Sequence, residues 1–427
     1  MQQDKTELLQ LRSAVQTGGI AEAPGRSRDS AEPARFSMDA QLVRILLKSL
    51  GEPPVRVSLW NGDSLALGSG GEVAHVRVAN RASLLKLIVD PVFQFGECYC
   101  DRSIEVEGNL VELLEVLMRG LSDHPSSARR LIDWWRRRRA NTPTNARENI
   151  HSHYDLGNAF YELWLDPQLA YTCAYFPYPG IPLAEAQIAK MDHICAKLRL
   201  RPGETVVEAG CGWGALALHM ATRFGVRVRA FNISREQITW ARARARAMGV
   251  GDRVEFIEDD YRNIGGRCDA FVSVGMLEHV GRENYRELGS VIDRMLARDG
   301  RGLIHSIGLV RPAPLNAWIE RRIFPGAYPP SLREMLEVLE QPGFAVLDVE
   351  NLRLHYALTL KHWLRRFEDA RDKVAQMYDE RFVRAWRVYL SGSQAAFNSG
   401  QMQLFQVLFA RQRTNEIPWT RDHLYGR

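Results

Sequence analysis

The segment TVVEAGCGWGALALHMA, residues 205–221, constrains the fold more strongly than any other part of the sequence. A short apolar run typical of a strand is followed by Gly210, Gly212 and Gly214, and then by a helical pattern. Glycines let the backbone turn tightly and approach a ligand closely. In an open parallel sheet such a turn lies at the carboxyl end of a strand, where ligands bind. The segment therefore predicts a strand, a turn and a helix that together hold a small molecule.

Strand patterns repeat after this turn, and helical patterns separate most of them. The alternation predicts an α/β fold with a mostly parallel sheet and crossover helices. Two later apolar runs, FAVLDVE and QLFQVLFAR, predict strands that close one edge of the sheet. The central strand candidates are TVVEAG, VRVRAFN, RVEFIED, DAFVSVG and GLIHSIG.

The rest of the chain suggests four regions. Residues 1–35 end in a mixture of Gly, Ala, Pro, Ser and Arg that predicts a poorly ordered tail. Residues 36–121 predict a small α+β domain, because VRVSLWNG and AHVRVAN have strand patterns and NLVELLEVLMRG has helical spacing. Residues 122–146 predict a basic linker, and residues 147–427 predict the α/β domain.

Composition narrows the setting of the protein. The six cysteines form no CxxC pair, which favours a reducing cytosol over a disulfide framework. The first residues, MQQDKTELLQLRS, lack the apolar run of a signal peptide, and no stretch approaches a membrane-spanning length. We therefore expect a cytoplasmic protein, which would meet any lipid from the inner face of the membrane.

The excess charge lies in the predicted linker and the residues just after it. Between Pro125 and Ile150, seven arginines stand against two acidic residues, which accounts for the whole net charge of +5. The run ARRLIDWWRRRR places tryptophans among arginines, as suits a surface that binds anionic headgroups. A solvated linker helix or a basic dimer contact fits the same pattern. No nucleic-acid recognition module accompanies it, so we expect no nucleic-acid partner.

The glycine turn alone fits two kinds of ligand. Gly210-x-Gly212-x-x-Ala215 matches a dinucleotide-binding fingerprint, which also requires an acidic residue about 20 positions further on. Asn232 stands at that place instead. A methyltransferase turn has its acid before the alternating glycines, where Glu208 stands. Both interpretations remain open on the turn by itself.

Longer motifs carry a resemblance. The block NIHSHYDLGNAFYELWLDPQLAYTCAYF closely resembles the opening of cyclopropane-fatty-acyl-phospholipid synthases and mycolic acid cyclopropane synthases. The same family is matched in order by VVEAGCGWGALALHMA, NISREQ, DDYRNI, SVGMLEHVG, LIHSIG, IFPGAYPP, LHYALTLKHW and QLFQVLFAR. The resemblance covers about residues 147–412 strongly and the preceding unit (FGECYCD) weakly. It implies a class I S-adenosylmethionine methyltransferase fold, Rossmann-like, with an antiparallel edge.

The resemblance also implies a reaction. Such enzymes transfer a methyl group from S-adenosylmethionine to the cis double bond of an acyl chain, and loss of a proton then closes a three-membered ring. We therefore expect S-adenosylmethionine as the donor, no metal, and phospholipid acyl chains at the membrane surface as partners. A lipid methyltransferase with a methyl-branched or methylene product and a small-molecule N-methyltransferase are the alternatives. The acyl chain, the headgroup and the oligomeric state, including a homodimer, stay open.

Site residues follow from positions that match the family's motifs. In that family a bound bicarbonate ion takes the proton, and its positions match Cys173, Glu278, His305, Tyr356 and the backbone of Ile307. We expect the first four of these residues to be catalytic, with Glu278 accepting the proton of bicarbonate. The positions expected to bind the cofactor are Tyr171, Thr172, Glu208, Gly210, Cys211, Gly212, Gly214, Asn232, Ile233, Gln237, Asp260 and Tyr261.

Three further positions need comment. Ser234-x-x-Gln237 fits a capping box that begins a helix, so Gln237 has a structural explanation beside its cofactor role. His279 has no role implied by the family, and we expect it to be structural. The family often has a cysteine in a YL-x-x-C segment, where this chain has Ser393. A hydroxyl is barely ionised near neutral pH, so Ser393 cannot act as a thiolate would.

Overall fold

The computed structural model describes residues 37–123 and 156–425. Within these residues the chain forms one sheet of four strands and one of seven. The described residues from Met38 onward belong to one compact unit. The predicted tail and nearly all of the predicted basic linker lie outside the described residues.

The four-stranded sheet has the order β2-β1-β3-β4, in which β1 and β3 are parallel and the other neighbours antiparallel. Alternate residues of β1 and β3 are buried, because side chains of a strand point to opposite faces. The strand patterns and the helical spacing seen in this part of the sequence are confirmed. The elements are α1 (Met38–Ser49), β1 (Val55–Leu59), β2 (Ser64–Ala66), β3 (Ala74–Val78), α2 (Arg81–Val89), α3 (Pro91–Cys100), β4 (Ile104–Gly108) and α4 (Leu110–Asp123).

The seven-stranded sheet has the order β10-β11-β9-β8-β5-β6-β7. Strands β9, β8, β5, β6 and β7 are parallel to one another, and β11 is antiparallel to both of its neighbours. The predicted parallel sheet and its antiparallel edge are therefore confirmed. The strands are β5 (Thr205–Ala209), β6 (Arg227–Asn232), β7 (Val254–Glu258), β8 (Cys268–Val274), β9 (Leu296–Leu309), β10 (Phe344–Asn351) and β11 (Met402–Arg411).

Helices cover both faces of this sheet, as the burial of its central strands requires. Val206 and Val207, adjacent on β5, are both fully buried, and they belong to hydrophobic clusters on opposite faces. The helices are α5 (Asn158–Glu162), α6 (Leu183–Leu198), α7 (Ala215–Phe224), α8 (Arg235–Ala247), α9 (Leu277–Val280), α10 (Tyr285–Met295), α11 (Ala317–Arg322), α12 (Leu332–Glu340), α13 (Arg353–Asp369), α14 (Arg371–Met377) and α15 (Glu380–Asn398). Short 3₁₀ turns lie at Tyr261–Asn263, Arg282–Asn284 and Asp422–Leu424.

The four-stranded unit packs against helices α11 and α15. Gly96 of α3 lies against the indole of Trp318, whose Nε1 donates to Glu97 at 2.9 Å. Arg384 of α15 donates to the carbonyl of Tyr99 at 2.5 Å and stacks over its ring, 4.0 Å from the centroid. These contacts attach the small sheet to the helices that follow the large one.

Two further observations concern the whole described chain. The six cysteines are all buried and free. In residues 37–123 and 156–425, no helix combines the length and apolar character needed to span a membrane.

Candidate active site

The glycine turn after β5 opens a cavity at the carboxyl ends of the parallel strands. The backbone N–H groups of Gly210 and Cys211 both donate to the carbonyl of Phe231 on the neighbouring strand, at 2.9 and 3.0 Å. Gly210 has φ +82° and Gly212 has φ +52°, values that side chains disfavour. The turn is thereby fixed against β6 while its outer side faces open space.

The cavity collects nearly every residue expected to bind the cofactor. Residues from the ends of β5, β6, β7 and β8 line it, together with residues of α6 and of the segment 169–172. From the expected set, the lining includes Tyr171, Thr172, Glu208, Gly210, Cys211, Gly212, Asn232, Ile233, Gln237, Asp260 and Tyr261. The fold therefore brings together expected cofactor residues that are up to 90 positions apart in the sequence, from Tyr171 to Tyr261.

Gly214 is the expected cofactor residue that does not line this cavity. Its φ is +80°, and a Cβ at this position would come within 2.5 Å of the Phe256 ring. The glycine is needed because helix α7 begins here in close contact with β7. Its role in the structure is packing.

The cavity suits S-adenosylmethionine on two counts. A Cβ built on Gly212 meets no atom within 4 Å, so a side chain there would take up cavity space. The Oε2 atom of Glu208 is buried and has no hydrogen-bond partner among the described residues. Burial raises the pKa of Glu208 to about 7, so its carboxyl group gains from a cationic ligand.

Asn232 and Gln237 are bonded to each other at the end of β6. Asn232 Nδ2 donates to Gln237 Oε1 at 2.6 Å, and Asn232 Oδ1 accepts from the N–H of Ile233 at 2.9 Å. Ser234 Oγ accepts from the N–H of Gln237 at 3.4 Å and caps helix α8. Only this half of the expected capping box forms as expected, because the Gln237 side chain is turned to Asn232. Gln237 therefore supports the cavity wall.

Asp260 is held by a neighbouring cation. Its two carboxylate oxygens accept from Arg262 Nη1 at 3.1 and 3.0 Å. Arg262 also stacks over the Tyr261 ring, 4.8 Å from the centroid, and all three residues line the cavity. Burial raises the pKa of the Tyr261 phenol, whose hydroxyl oxygen is buried without a partner among the described residues.

The segment 170–176, which carries Tyr171, Thr172 and Cys173, is held by two helices. From α6, Gln187 Nε2 donates to the carbonyls of Ala170 and Thr172 at 3.1 and 2.8 Å. From α13, Thr359 Oγ1 accepts from the N–H of Ala174 at 3.0 Å. A segment without regular structure thus has its backbone groups satisfied by side chains.

The residues matched to bicarbonate do not line this cavity, but Cys173 and Glu278 are next in the chain to residues that do. Gly275, which lines the cavity, donates its N–H to the carbonyl of His305 at 2.9 Å. Glu278 Oε1 accepts from the N–H of Ile307 at 2.6 Å. The N–H of Ile307 was expected to hold the anion, but here it is bonded to the carboxyl group of Glu278. Glu278 Oε2 is buried and has no partner among the described residues.

Burial favours the neutral forms of both His305 and Glu278. Burial raises the pKa of Glu278 to about 7 and lowers the pKa of His305 to about 3. The neutral His305 ring has Nδ1 3.1 Å from Gln406 Nε2. When that amide nitrogen donates, the ring keeps its proton on Nε2, which is buried without a partner in the described chain. His305 and Glu278 thus each keep one buried polar atom without a partner among the described residues.

Cys173 and Tyr356 lie among aromatic rings. The Cys173 thiol donates to the carbonyl of Ala174 at 3.1 Å, and burial raises its pKa, so it stays neutral. The Tyr356 ring lies 5.9 Å from Trp363, and Trp363 lies 5.3 Å from Tyr171 of the cofactor cavity. Tyr356 is thus linked through the ring of Trp363 to Tyr171, which lines the cofactor cavity.

Two residues of the cavity were missed or interpreted otherwise from the sequence. Lys190 lines the cavity and donates from Nζ to Thr172 Oγ1 at 3.0 Å. His279, expected to be structural, lines the cavity as well, and burial lowers its pKa to about 4. The sequence offers no signal for Lys190, because the polar residues of AQIAKMDHICAK recur at the spacing of a solvated helix face.

Comparison with known proteins identifies the chain. The family model described as mycolic acid cyclopropane synthetase matches residues 141–407, and a model described as a domain of unknown function matches residues 42–124. The chain is 36% identical to the cyclopropane-fatty-acyl-phospholipid synthase of Escherichia coli K12, over 82% of this chain and 91% of that protein. It is 35% identical to a Pseudomonas putida protein named "Probable fatty acid methyltransferase", over 87% of this chain and 96% of that one.

Solved structures agree with this result. The mycolic acid cyclopropane synthase CmaA1, complexed with SAH and CTAB, is 30% identical, with a TM-score of 0.60. The alignment covers 62% of this chain and 98% of that one. The chain therefore belongs to the mycolic acid cyclopropane synthetase family and is an S-adenosylmethionine-dependent methyltransferase of the cyclopropane synthase type.

Proposed function

We propose that this enzyme transfers a methyl group from S-adenosylmethionine to the cis double bond of phospholipid acyl chains and forms a cyclopropane ring. The observation that carries the proposal is the cavity at the carboxyl ends of the parallel strands, which collects the expected cofactor residues and has Cys173 and Glu278 next in the chain to residues of its lining. Two atoms of the residues matched to bicarbonate, Glu278 Oε2 and His305 Nε2, are buried without a partner among the described residues. The proposal is also supported by the similarity to the Escherichia coli cyclopropane-fatty-acyl-phospholipid synthase.

The bonds that form and break in the proposed reaction define which groups the active site must provide. The π electrons of the alkene form a bond to the methyl carbon, the carbon–sulfur bond breaks, and a cation remains on the second alkene carbon. A proton then leaves the added methyl group, and the electrons of that C–H bond close the ring. When bound, S-adenosylmethionine supplies the methyl group and bicarbonate supplies the base that takes this proton.

The residues of this chain supply position, charge and exclusion of water. Burial favours the neutral forms of Glu278 and His305, so His305 donates from Nε2 while Glu278 takes or gives a proton at Oε2. The aromatic rings of Tyr171, Trp363 and Tyr356 stabilise a cationic intermediate, because aromatic faces attract cations. The Cys173 thiol, which stays protonated, is no competing nucleophile.

A second product is favoured by one observation. Ser393, which is half-buried on α15, stands where the resembling family often has a cysteine. The chain is also 36% identical, over 62% of its length, to a Mycobacterium tuberculosis protein named tuberculostearic acid methyltransferase UfaA1. The alternative is therefore methyl transfer to the same double bond with a methyl-branched or methylene product.

Both products can be tested in one assay. The enzyme is incubated with vesicles of unsaturated phospholipid and S-adenosylmethionine that carries a trideuterated methyl group, and the acyl chains are analysed by mass spectrometry. Cyclopropanation leaves two deuterium atoms in the lipid with ring fragmentation. A methylene product also keeps two, without ring fragmentation, and a methyl branch formed by loss of a proton from a neighbouring chain carbon keeps all three and a double bond. Unlabelled lipid in this assay would overturn both versions of the proposal.

The role of Glu278 is tested by Glu278→Gln. This variant should lose at least about 100-fold in turnover, the usual contribution of a positioned acid or base, while its affinity for S-adenosylhomocysteine stays the same. Glu340→Gln, a change of the same kind at an exposed position on α12, serves as the matched control and should keep full activity. Full turnover in Glu278→Gln would remove Glu278 from the mechanism.

A further inference from the structure

Helix α6 has polar residues on its buried side. Gln187, Lys190, His193 and Lys197 are spaced three or four residues apart, and each is 5% exposed or less. Burial of a polar or charged group costs free energy unless the group is bonded or paired. Each of these side chains should therefore have a partner that explains its burial.

Three of the four have such partners within the protein. Gln187 holds the carbonyls of Ala170 and Thr172. His193 Nε2 lies 2.7 Å and Lys197 Nζ lies 2.6 Å from Glu350 Oε2. These contacts give the Gln187 amide nitrogen, the His193 ring and the Lys197 ammonium group partners inside the protein.

Lys190 is different. Its Nζ donates to the hydroxyl oxygen of Thr172 at 3.0 Å, which leaves further N–H groups of the ammonium to be satisfied. Asp166 is nearby, but its carboxylate oxygens already accept from the N–H groups of Gln168 and Ala170, both at 2.9 Å. The buried cation thus lacks a carboxylate partner of its own.

Glu208 is the complementary case in the same cavity. Its Oε2 atom is buried and has no partner among the described residues, and the described chain has no ion pair within 4.0 Å between Glu208 and Lys190. Burial lowers the pKa of Lys190 and raises the pKa of Glu208, and the charge of each residue acts against that effect on the other. A cation and an acid therefore face the same cavity without contacting each other.

This arrangement matches one end of the cofactor. The methionine portion of S-adenosylmethionine carries both an ammonium and a carboxylate group. Farther along the cavity wall, Phe231, Ile233 and Tyr261 offer apolar surface that suits a flat base. The charged groups at Lys190 and Glu208 are complementary to the zwitterionic end.

We propose that Lys190 binds the carboxylate of the methionine portion of S-adenosylmethionine, while Glu208 faces its ammonium group. Thr172 assists as a second donor. Because Thr172 Oγ1 accepts from Lys190, its own hydroxyl proton points away from the lysine and is available to the same carboxylate. Lys190 thereby sets the position of the donor molecule along the cavity.

The test uses three ligands that differ at the methionine end. Dissociation constants are measured by calorimetry for S-adenosylhomocysteine, for its decarboxylated analogue and for 5′-methylthioadenosine, which lacks the amino-acid portion. The wild-type enzyme should prefer S-adenosylhomocysteine over the decarboxylated analogue. In Lys190→Met this preference should fall about 10- to 100-fold, as expected for loss of a charged hydrogen bond, while 5′-methylthioadenosine binds within about twofold of wild type.

Two further variants make the result specific. Lys197→Met removes another buried lysine of the same helix and should leave the preference for the carboxylate unchanged. Lys190→Gln, which keeps a donor for Thr172, should lose the preference as Lys190→Met does, and it serves if the methionine variant does not fold. An unchanged preference in either Lys190 variant would overturn the proposal, as would equal weakening of all three ligands.

Discussion

Glu278 and Glu350 are carboxyl groups whose pKa values are shifted in opposite directions by their surroundings. Burial raises the pKa of Glu278 to about 7. Burial also opposes ionisation of Glu350, but the hydrogen bond to His193 and the charge of Lys197 outweigh it and lower the pKa to about 2. The two residues should therefore give the stability of the protein opposite dependences on pH.

The variant Glu278→Gln tests how Glu278 affects the pH dependence of stability. A group whose pKa is raised by folding stabilises the protein below its unfolded value, and that contribution is lost as pH rises through the folded value. Between about pH 4.5 and pH 8, the free energy of unfolding should therefore rise in the variant relative to wild type, by roughly 3 kcal/mol. Urea unfolding at both pH values measures the change.

Glu350→Gln is the matched control for this prediction. The stabilisation from Glu350 is present above its unfolded pKa and is lost only as pH falls toward about 2. The variant should therefore be less stable than wild type by a similar amount at both pH values. If Glu278→Gln followed the wild-type pH dependence, the burial of an uncharged Glu278 would be wrong.

Residues whose role depends on local pattern could be predicted, and those that depend on distant partners could not. The turn at Gly210 and Gly212 follows from neighbouring letters, because a strand and a helix flank it. Lys190 could not be recognised, since a lysine at helical spacing usually lies on a solvated face. Only the packing of α6 against β9 and the segment 170–176 shows that it is buried.

At the scale of elements, the segment 170–176 depends on helices far away in the chain. Thr359 of α13 accepts from the N–H of Ala174 and donates to the carbonyl of His355 at 2.7 Å. Thr359 is fully buried. Cys173 and Thr172 keep their positions because these side-chain contacts replace the ladder of a strand.

We expect Thr359→Val to loosen this segment. The change keeps the shape of the side chain but leaves the buried N–H of Ala174 without an acceptor, which costs about 1–3 kcal/mol. The free energy of unfolding should fall by that amount, and the affinity for S-adenosylhomocysteine should fall with it. Chemical denaturation and calorimetry measure the two effects.

Thr239→Val provides the comparison. Thr239 makes the same kind of bond to its own helix, to the carbonyl of Arg235 at 2.7 Å, but it is exposed and holds no other segment. This variant should change stability by less than about 0.5 kcal/mol. Equal effects of the two substitutions would show that the contact with Ala174 contributes nothing.

The elements and the mostly parallel sheet were predictable from the sequence pattern, but the order of the strands was not. Short apolar runs located all seven strands of the large sheet among the described residues. Strand order, in contrast, depends on which faces pair, and no local pattern places β11 between β9 and β10. The role of the basic linker could not be predicted from its sequence, because its pattern fits a membrane contact, a solvated helix and a dimer contact equally well.

At the scale of the whole molecule, Gly96 of the four-stranded unit packs against Trp318 on helix α11 of the methyltransferase part. A Cβ on Gly96 would come within 2.6 Å of the Trp318 indole. We expect Gly96→Ala to lower the free energy of unfolding by about 1–3 kcal/mol, because overpacking forces neighbours to shift. Thermal and chemical unfolding measure the loss.

Gly71→Ala is the control within the same unit. A Cβ at Gly71 meets nothing within 4 Å, and its φ lies outside the positive range. This substitution should be neutral or slightly stabilising, since alanine restricts the unfolded chain more than glycine does. A Gly96→Ala protein as stable as Gly71→Ala would refute a close contact at Trp318.

The basic segment carries a prediction from sequence alone, since it lies outside the described residues. Replacing Arg136–Arg139 by glutamate should weaken binding to vesicles of anionic phospholipid while affinity for S-adenosylhomocysteine is unchanged. Replacing the same arginines by lysine keeps the charge and should preserve most of the binding. Co-sedimentation with vesicles decides the matter, and binding unaffected by the glutamates would exclude this segment as the membrane contact.

The antiparallel strand β11 has a consequence for biosynthesis. It lies inside the sheet, paired to β9 and β10, although it is the last of the seven strands to leave the ribosome. Until residues 402–411 emerge, the nascent chain presents β9 with an open hydrogen-bonding edge, which is prone to wrong pairing. Gln406 on this strand is also the residue that contacts His305. The surroundings of His305 are therefore completed only after β11 has emerged, and a product truncated before residue 402 would lack both the strand that pairs with β9 and the Gln406 contact.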